Sequence, residues 1–271
     1  MTAPALPTFY LSHGGGPWPW MKGPRYDAHR KLEAALQQLP QLVGVTPKAV
    51  LMISAHWEEE DFAVMSHPSP SMIYDYSNFP ANTYQVQYPA PGAPKLAERV
   101  HGLLQGVGIA SHLDATRGFD HGAFVPMHVV YPDAGVPVVQ LSLKRGLDPQ
   151  DHLAAGRALA SLRNEGVLIV GSGSSYHNLR MLGPESKEPS AAFDDWLQRT
   201  LEGSRFEERA AALASRESAP SARVAHPREE HLLPLMVAVG AAQRDVATRF
   251  YHENTFFGSG SVSSFMFTNS A

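Results

Sequence analysis

The chain has 271 residues, with 13 histidines and no cysteine. The absence of cysteine excludes disulfide frameworks, thiolate zinc sites, iron–sulfur clusters and a cysteine nucleophile. Any metal must therefore be held by imidazole and carboxylate groups, a donor set that suits zinc, non-haem iron, copper or manganese. The net charge is −4 and no sustained basic run occurs, which argues against nucleic acid and anionic membrane surfaces as partners.

The amino-terminal segment Met1–Pro7 has no basic region followed by an apolar run, so we expect no signal peptide and a cytoplasmic location. No apolar stretch approaches the roughly 20 residues of a membrane-spanning helix. The length suits one large α/β domain, and no internal repeat or linker divides the sequence. We therefore expect a single domain over residues 1–271, as a monomer or a small homo-oligomer.

Several short apolar runs, each followed by polar or glycine-rich sequence, are typical of buried strands. In chain order these predicted strands are Thr8–Ser12, Ala49–Ser54, Val136–Leu143 and Gly166–Val170. The alternating segment Gly260–Phe267 predicts a last strand at an edge of the sheet. Between them lie segments with helical character: Ala28–Leu39, Ala93–Val107, Pro149–Asn164 and Ala191–Ser204. This alternation of strands and helices favours an α/β fold whose sheet is covered on both faces.

Three histidines are predicted to lie at the same edge of the sheet. His13, His56 and His177 each lie just beyond the carboxyl end of a predicted strand. In open α/β sheets, ligands bind in the crevice outside these strand ends. Taken singly, each histidine is more often a capping or solvent-exposed residue, but together they predict one shared site that can bind a metal ion.

Two further histidines lie where helices are predicted to begin. Pro234 is best tolerated in the first turn of a helix, which places the helix start near residues 232–233 and His231 just before it. Asp120 is a good N-cap, so His121 then lies in the first turn of its helix. Ordinary loop and capping roles are the alternative for both histidines.

The other histidines carry no functional prediction. His226 precedes a proline, which favours an extended backbone. The remaining seven lie in polar loops or helical segments without a comparable context: His29, His67, His101, His112, His128, His152 and His252. We expect surface or packing roles for them.

Short motifs follow one another in order along almost the whole chain: His13-Gly-Gly-Gly-Pro17, Ser54-Ala-His-Trp-Glu58, Phe79-Pro80, Tyr88-Pro-Ala-Pro-Gly92, Gly118-Phe-Asp-His-Gly122, His177-Asn-Leu-Arg180 and Glu230-His-Leu-Leu-Pro-Leu235. With this combination the chain resembles the extradiol aromatic-ring-opening dioxygenases of the DOPA-dioxygenase type, in the class III family of protocatechuate 4,5-dioxygenase. Each motif alone is weak, but jointly they are specific.

The resemblance implies an α/β fold with a central mixed sheet between helical layers. It also implies a single non-haem Fe(II), often found replaced by Zn(II) in purified proteins. By motif match, His13 and His56 are metal ligands and His231 occupies the third ligand position. His177 matches the acid/base, which in zinc-filled relatives can also be a fourth ligand, and His121 matches a second active-site histidine near the substrate.

One position departs from the protocatechuate type of relative, which binds iron through two histidines and a glutamate. Here the third position reads Glu230-His231, so either side chain can face the metal. We expect His231 to be the ligand, with Glu230 as the alternative. An all-histidine set is less anionic and binds zinc well.

The resemblance further implies a catechol and O2 as substrates and a muconic-semialdehyde-type product. A catechol must lose protons to chelate a metal through both oxygens, and a neutral imidazole can accept one and later return it. Aromatic residues near the motifs are candidates for pocket walls, although most are more simply explained as core: Trp18, Trp20, Tyr74, Phe119 and Tyr176. The cations that are candidates for binding a substrate carboxylate are Arg117, Lys144, Arg145 and Arg180.

Two other classes of function remain open on the residues alone. A three-histidine site with one water is also the usual arrangement of zinc hydrolases. The same superfamily contains Memo-type proteins, which keep the fold and some histidines and act chiefly as signalling partners. The ordered set of five histidine motifs favours an enzyme over a binding protein.

Overall fold

The computed structural model describes residues 5–269, without the side chain of Arg25. Residues 1–4, on which part of the signal-peptide prediction rests, lie outside the described residues. The described strands form one eight-stranded sheet. They are β1 (Thr8–Ser12), β2 (Ala49–Glu59), β3 (Phe62–Met65), β4 (Ser111–Asp114), β5 (Val138–Lys144), β6 (Val167–Gly173), β7 (Val246–Phe256) and β8 (Gly260–Thr268).

Helices occupy most of the connections between these strands. They are α1 (Pro24–Asp27), α2 (Arg30–Gln37), α3 (Leu39–Val43), α4 (Pro94–Gln105), α5 (His121–Val130), α6 (Pro149–Leu159), α7 (Lys187–Glu202), α8 (Phe206–Ala214), α9 (Ala222–Ala225) and α10 (Leu233–Ala242). Among residues 5–269, none of the helices has the length and apolar character needed to cross a membrane.

The strands lie in the order β4-β3-β5-β2-β6-β1-β8-β7. The four central strands β5, β2, β6 and β1 run parallel, whereas β8 is antiparallel to both β1 and β7, and β3 is antiparallel to β5. The sheet is therefore mixed, as the resemblance implies. Because parallel strands end at the same edge of a sheet, the carboxyl ends of β1, β2 and β6 lie side by side.

Two consecutive residues of β6 show that helices cover both faces of the sheet. Successive side chains of a strand point to opposite faces. A Cβ atom at Gly171 would lie 2.4 Å from the carbonyl oxygen of Pro234 in α10. The hydroxyl of Ser172 instead donates a hydrogen bond to the carbonyl oxygen of Gly122 in α5. The prediction of a single α/β domain with helices on both faces is confirmed.

The predicted elements agree with the observed ones in type, and their ends differ by a few residues. The strand Thr8–Ser12 has the predicted bounds, and the strand predicted to end at Val170 continues to Gly173. The helix predicted over Pro149–Asn164 is an α-helix only as far as Leu159, after which the chain continues as a 3₁₀ helix.

The prediction of an edge position for the last strand is wrong. β8 lies between β1 and β7, and its residues from Gly260 to Phe265 are all buried. β7 pairs with β8 on the side away from β1 and forms the edge of the sheet. Buried and exposed side chains are interspersed along β7, so it has no continuous apolar run. The search for apolar runs in the sequence therefore does not predict this strand. The short strands β3 and β4 are not predicted either.

His56 lies within β2 and not beyond its end, which differs from the prediction. β2 pairs with β6 only as far as Ser54, and its pairing with β5 shifts in register between Ile53 and Glu58. The last part of β2 therefore carries His56 past the end of β6. The imidazole still reaches the edge of the sheet where the other histidines lie.

Two glycines allow α6 and α10 to pack closely. A Cβ atom at Gly156 would lie 2.2 Å from the carbonyl oxygen of Val237, and one at Gly240 would lie 2.3 Å from that of Leu153. A side chain at either position would force the helices apart. This contact holds α10 in place, and His231 comes two residues before α10 begins.

We expect Gly156→Ala to lower the free energy of unfolding by about 1–3 kcal/mol, because the added methyl group overpacks the contact between α6 and α10. Gly102 in α4 is the matched control, since a Cβ atom there meets nothing within 4 Å. Gly102→Ala should raise the free energy of unfolding by about 0.5–1 kcal/mol, because glycine is unfavourable inside a helix. Denaturant unfolding measures both, and equal effects would contradict the interpretation.

Candidate active site

His13 follows β1 directly, on a turn made of three glycines. Gly14 and Gly16 have φ angles of +78° and +59°, a left-handed conformation that favours glycine. Nε1 of Trp18 donates a hydrogen bond to the carbonyl oxygen of His13 at 2.8 Å, and a side chain at Gly14 would collide with this indole. The turn therefore fixes the backbone of His13 beside the end of β6.

The partners of His13 determine which of its ring nitrogens faces the site. Nδ1 of His13 lies 3.1 Å from the hydroxyl oxygen of Ser172. That hydroxyl donates its own proton to the carbonyl oxygen of Gly122, so it accepts a hydrogen bond from Nδ1–H of His13. Nε2 of His13 is then the nitrogen that carries the lone pair.

Asp75 holds two more of the histidines. Its Oδ1 accepts hydrogen bonds from Nδ1 of His121 at 2.8 Å and from the backbone N–H of His121 at 3.0 Å, and its Oδ2 lies 3.3 Å from Nδ1 of His56. Burial acts to raise the pKa of Asp75, but the interactions with His121 and His56 outweigh it and lower the pKa to about 2. The ionised carboxylate only accepts hydrogen bonds, so His121 directs Nδ1–H toward it. The negative charge beside Nδ1 of His56 favours the tautomer with the proton on that nitrogen, and Nε2 of each ring is then available.

Glu230 holds the remaining two histidines. Its Oε1 lies 2.9 Å from Nδ1 of His231 and 3.1 Å from Nδ1 of His177, and the two rings stack with centroids 3.3 Å apart. Burial acts to raise the pKa of Glu230, but the hydrogen bonds from His177 and His231 outweigh it and lower the pKa. The backbone of His231 is held as well, because its carbonyl oxygen accepts hydrogen bonds from the hydroxyl of Tyr10 and the N–H of Ser174.

The structure brings together all five histidines that the motifs single out. Ring nitrogens of His13, His56 and His121 lie within 4.8 Å of one another, and so do ligand atoms of His177, Glu230 and His231. The ring of His231 joins the two groups, with its centroid 5.2 Å from that of His13 and 4.9 Å from that of His56.

The donor atoms fit a metal ion. Nε2 of His13 and Nε2 of His56 are 3.1 Å apart, and each carries a lone pair because each Nδ1 holds the ring proton. Two lone pairs at this separation repel each other unless a cation lies between them. Two imidazole nitrogens bound to one zinc-sized ion at about 2.1 Å lie about 3.0–3.4 Å apart, which agrees with the observed distance.

Burial keeps these rings in the form that binds metal. It lowers the pKa of His13 and of His231 well below the ordinary value of 6.5, and it lowers the pKa of His56 to about 4. Neighbouring imidazoles add to each of these decreases. The three rings are therefore neutral near pH 7, and a neutral imidazole nitrogen is a metal ligand.

A pocket of about 290 Å³ opens beside these rings. Its apolar walls are formed by Tyr76, Tyr176, Leu179, Leu182, Phe256 and Phe257. Of the predicted wall residues only Tyr176 is among those that line the described pocket, and the others pack in or against the core: Trp18, Trp20, Tyr74 and Phe119. The core interpretation is therefore correct for those four.

The candidate cations are now distinguishable. Three of them pair with carboxylates: Arg117 with Asp120, Lys144 with Asp151 and Arg145 with Glu60. The guanidinium of Arg180 makes no ion pair or hydrogen bond with residues of the described chain. It lines a cavity of about 540 Å³ that adjoins the histidine pocket at His177 and Leu179.

The fold and the site are those of an α/β protein whose histidine cluster can hold a metal ion beside an aromatic-lined pocket. The family described as "Catalytic LigB subunit of aromatic ring-opening dioxygenase" matches residues 4–267. The chain is 40% identical to 4,5-DOPA dioxygenase extradiol of Beta vulgaris, over 97% of this chain and 96% of the relative. It is 33% identical to the protein of the same name from Escherichia coli (strain K12), over 89% and 87%.

A solved structure has the same fold. The crystal structure of an uncharacterized protein from Escherichia coli K12 matches this fold with a TM-score of 0.78 and 28% sequence identity, covering 97% of this chain and 99% of that chain. The chain belongs to the LigB family of aromatic ring-opening dioxygenases. The prediction of an extradiol ring-cleavage dioxygenase is confirmed, and this membership implies metal dependence, an aromatic substrate and O2.

We expect Asp75→Asn to weaken metal binding about 10–100-fold, the usual cost of changing a group that orients metal-binding histidines. The amide nitrogen would face Nδ1–H of either His56 or His121, so one of these imidazoles must change its tautomer or turn. Asp151→Asn is the matched control, because Asp151 pairs with Lys144 on the surface at 2.8 Å. Competition with a chelator measures the metal Kd, and equal values for the two variants would contradict the role of Asp75.

Proposed function

We propose that this enzyme opens the ring of a catechol with O2 next to the diol and yields a muconic-semialdehyde-type product. The observation that supports this most directly is the set of imidazoles whose Nδ1 atoms are all engaged, so that Nε2 is available beside an aromatic-lined pocket. The pocket of about 290 Å³ lies at the lower end of the range for small-molecule sites. A single aromatic ring suits a pocket of this size.

We propose His13, His56 and His231 as the metal ligands. Glu230 is the weaker candidate for the third position, because its Oε1 already contacts Nδ1 of both His231 and His177. Fe(II) is the proposed active metal, with Zn(II) as an ion that the same nitrogens bind. When bound, the metal polarises the diol oxygens, lowers their pKa and provides open positions for catechol and O2.

His177 and His121 are the proposed acid/base and substrate-contacting groups. Nδ1 of His177 is held by Glu230, so Nε2 is the atom at which the ring can accept a proton from the catechol and return it to the product. Nδ1 of His121 is held by Asp75, which leaves its Nε2 for a hydrogen bond to the substrate. The two carboxylates thus orient both rings.

Arg180 is the proposed contact for an anionic group on the substrate. It is the one member of the four predicted cations whose guanidinium has no partner in the described residues, and its cavity adjoins the pocket at His177. A carboxylate on the substrate would meet an unpaired cation in this cavity.

The proposed reaction is tested by loading the metal-free protein anaerobically with Fe(II) and measuring oxygen uptake and a yellow product with a panel of catechols. We expect turnover with iron, and a lower KM for catechols that carry a carboxylate than for 4-methylcatechol. Zinc-loaded protein is the control. Ester or amide hydrolysis with zinc, together with no ring cleavage with iron, would support the hydrolase alternative and refute the proposal.

We expect His177→Ala to retain its metal and to lose about 10²–10⁴-fold in kcat, because removal of an acid/base group typically has this effect. His13→Ala should instead lose the metal itself, since it removes Nε2 of His13, one of the nitrogens proposed to bind the ion. Metal content after purification and single-substrate kinetics separate the two outcomes. Near-normal turnover by His177→Ala would show that the assigned role is wrong.

A further inference from the structure

The turn that carries His177 is bound along its length to a second segment of the chain. The backbone N–H of His177 donates to the carbonyl oxygen of Ala225 at 2.9 Å. The side-chain amide of Asn178 donates to the carbonyl oxygen of Val224 at 2.8 Å. The third contact comes from the ring of His226, whose Nε2 lies 3.0 Å from the carbonyl oxygen of Ser175. Consecutive residues 224–226 therefore hold the turn at three points.

The ring of His226 is fixed within the core. It is 3% exposed and contacts the ring of Phe193 edge-on, with centroids 5.2 Å apart. Burial lowers the pKa of His226 to about 4, so the ring is neutral and carries one proton. A carbonyl oxygen only accepts hydrogen bonds, which places that proton on Nε2, directed at Ser175.

The same segment continues to the groups that meet His177 from the other side. Four residues after His226 comes Glu230, whose carboxylate contacts Nδ1 of His177 at 3.1 Å, and His231 follows, stacked on the ring of His177. Arg228 anchors the intervening stretch through two hydrogen bonds to the carboxylate of Glu58 in β2, at 2.5 and 2.6 Å. His226 thus ties the turn before His177 to the segment that supplies its carboxylate partner.

We propose that His226 is a positioning residue, which holds the Ser175–His177 turn so that Nδ1 of His177 reaches Glu230 and Nε2 faces the substrate. The proposal rests on the proposed function in one respect, since it takes His177 as the group that exchanges the substrate proton. A displacement of about 1 Å in such a group is enough to slow a reaction up to 100-fold. The proposed metal ligands His13, His56 and His231 lie outside this turn, so we expect the metal to stay bound when the turn shifts.

His152 offers a matched control. Its ring is completely buried, its pKa is also lowered by burial to about 4, and it contacts the ring of Phe62 edge-on with centroids 5.3 Å apart. It likewise bonds to a backbone carbonyl oxygen, that of Asp148 at 2.7 Å. It lies in α6 and contacts none of the five histidines of the site. A substitution at His152 therefore reproduces the loss of a buried histidine without touching the turn.

The experiment compares His226→Leu, His226→Gln, His226→Asn and His152→Leu in the iron-loaded enzyme. We expect His226→Leu to keep its metal and to lose about 10–100-fold in kcat, the usual effect of removing a group that orients a functional residue. Glutamine places an amide N–H where Nε2 of histidine lies, so His226→Gln should recover most of kcat. The side chain of asparagine is too short, so His226→Asn should not. His152→Leu should lower Tm and leave kcat unchanged.

A second readout does not depend on turnover. In the zinc-loaded, diamagnetic protein, the proton on Nδ1 of His177 should give a slowly exchanging imidazole NMR signal that disappears in His177→Ala. We expect this signal to be lost in His226→Asn and kept in His226→Gln. The proposal is wrong if the two variants have equal kcat and equal signals, or if His226→Leu loses no more kcat than His152→Leu. If the wild-type enzyme cleaves no catechol, the proposed function fails, and the NMR comparison alone still decides the role of His226.

Discussion

Several imidazoles can share one buried pocket only if they remain uncharged and if each ring is held by the nitrogen that faces away from the centre. The protein meets both requirements with three acceptors: Asp75, Ser172 and Glu230. Burial removes the charge by lowering the pKa of the metal-facing rings, and each acceptor keeps the remaining ring proton on Nδ1. The arrangement of Nε2 atoms, and with it the chemistry of the site, depends on these contacts.

The fold places the acceptors by using both faces of one strand. At the end of β6, Ser172 points toward α5 and accepts the hydrogen bond from His13, whereas Gly173 lies on the other face, where a Cβ atom would come within 2.0 Å of the carbonyl oxygen of His231. Asp120 connects the remaining parts, because Oδ1 accepts hydrogen bonds from Ser54 in β2 and from the first turn of α5. The histidines of β1, β2, α5 and the start of α10 thus meet over one sheet edge.

Most of the fold and the five histidines follow from local patterns in the sequence. Continuous apolar runs reveal central strands such as β1, and a capping aspartate reveals the start of α5. The edge strand β7 is not revealed, because half-exposed strands lack such runs. Asp75 and His226 are not revealed either: Asp75 lies in a loop without a motif, and His226 differs from any other histidine beside a proline only through its tertiary contacts. Only the folded chain shows that Asp75 contacts His121 and that His226 contacts Ser175, because these residues are far apart in the sequence.

The sequence by itself determined the donor chemistry. A chain without cysteine cannot hold a metal through thiolate, and five histidines placed at strand ends and helix starts indicate an imidazole site and its position. Only the tertiary structure decided which nitrogen of each ring is free, because that depends on acceptors that are distant in the sequence. Asp75 is 46 residues from His121, and Ser172 is 159 residues from His13. It also decided that Glu230 contacts the Nδ1 atoms of two histidines. A hydrogen bond between distant residues exists only after the chain has folded, so no local sequence pattern predicts it.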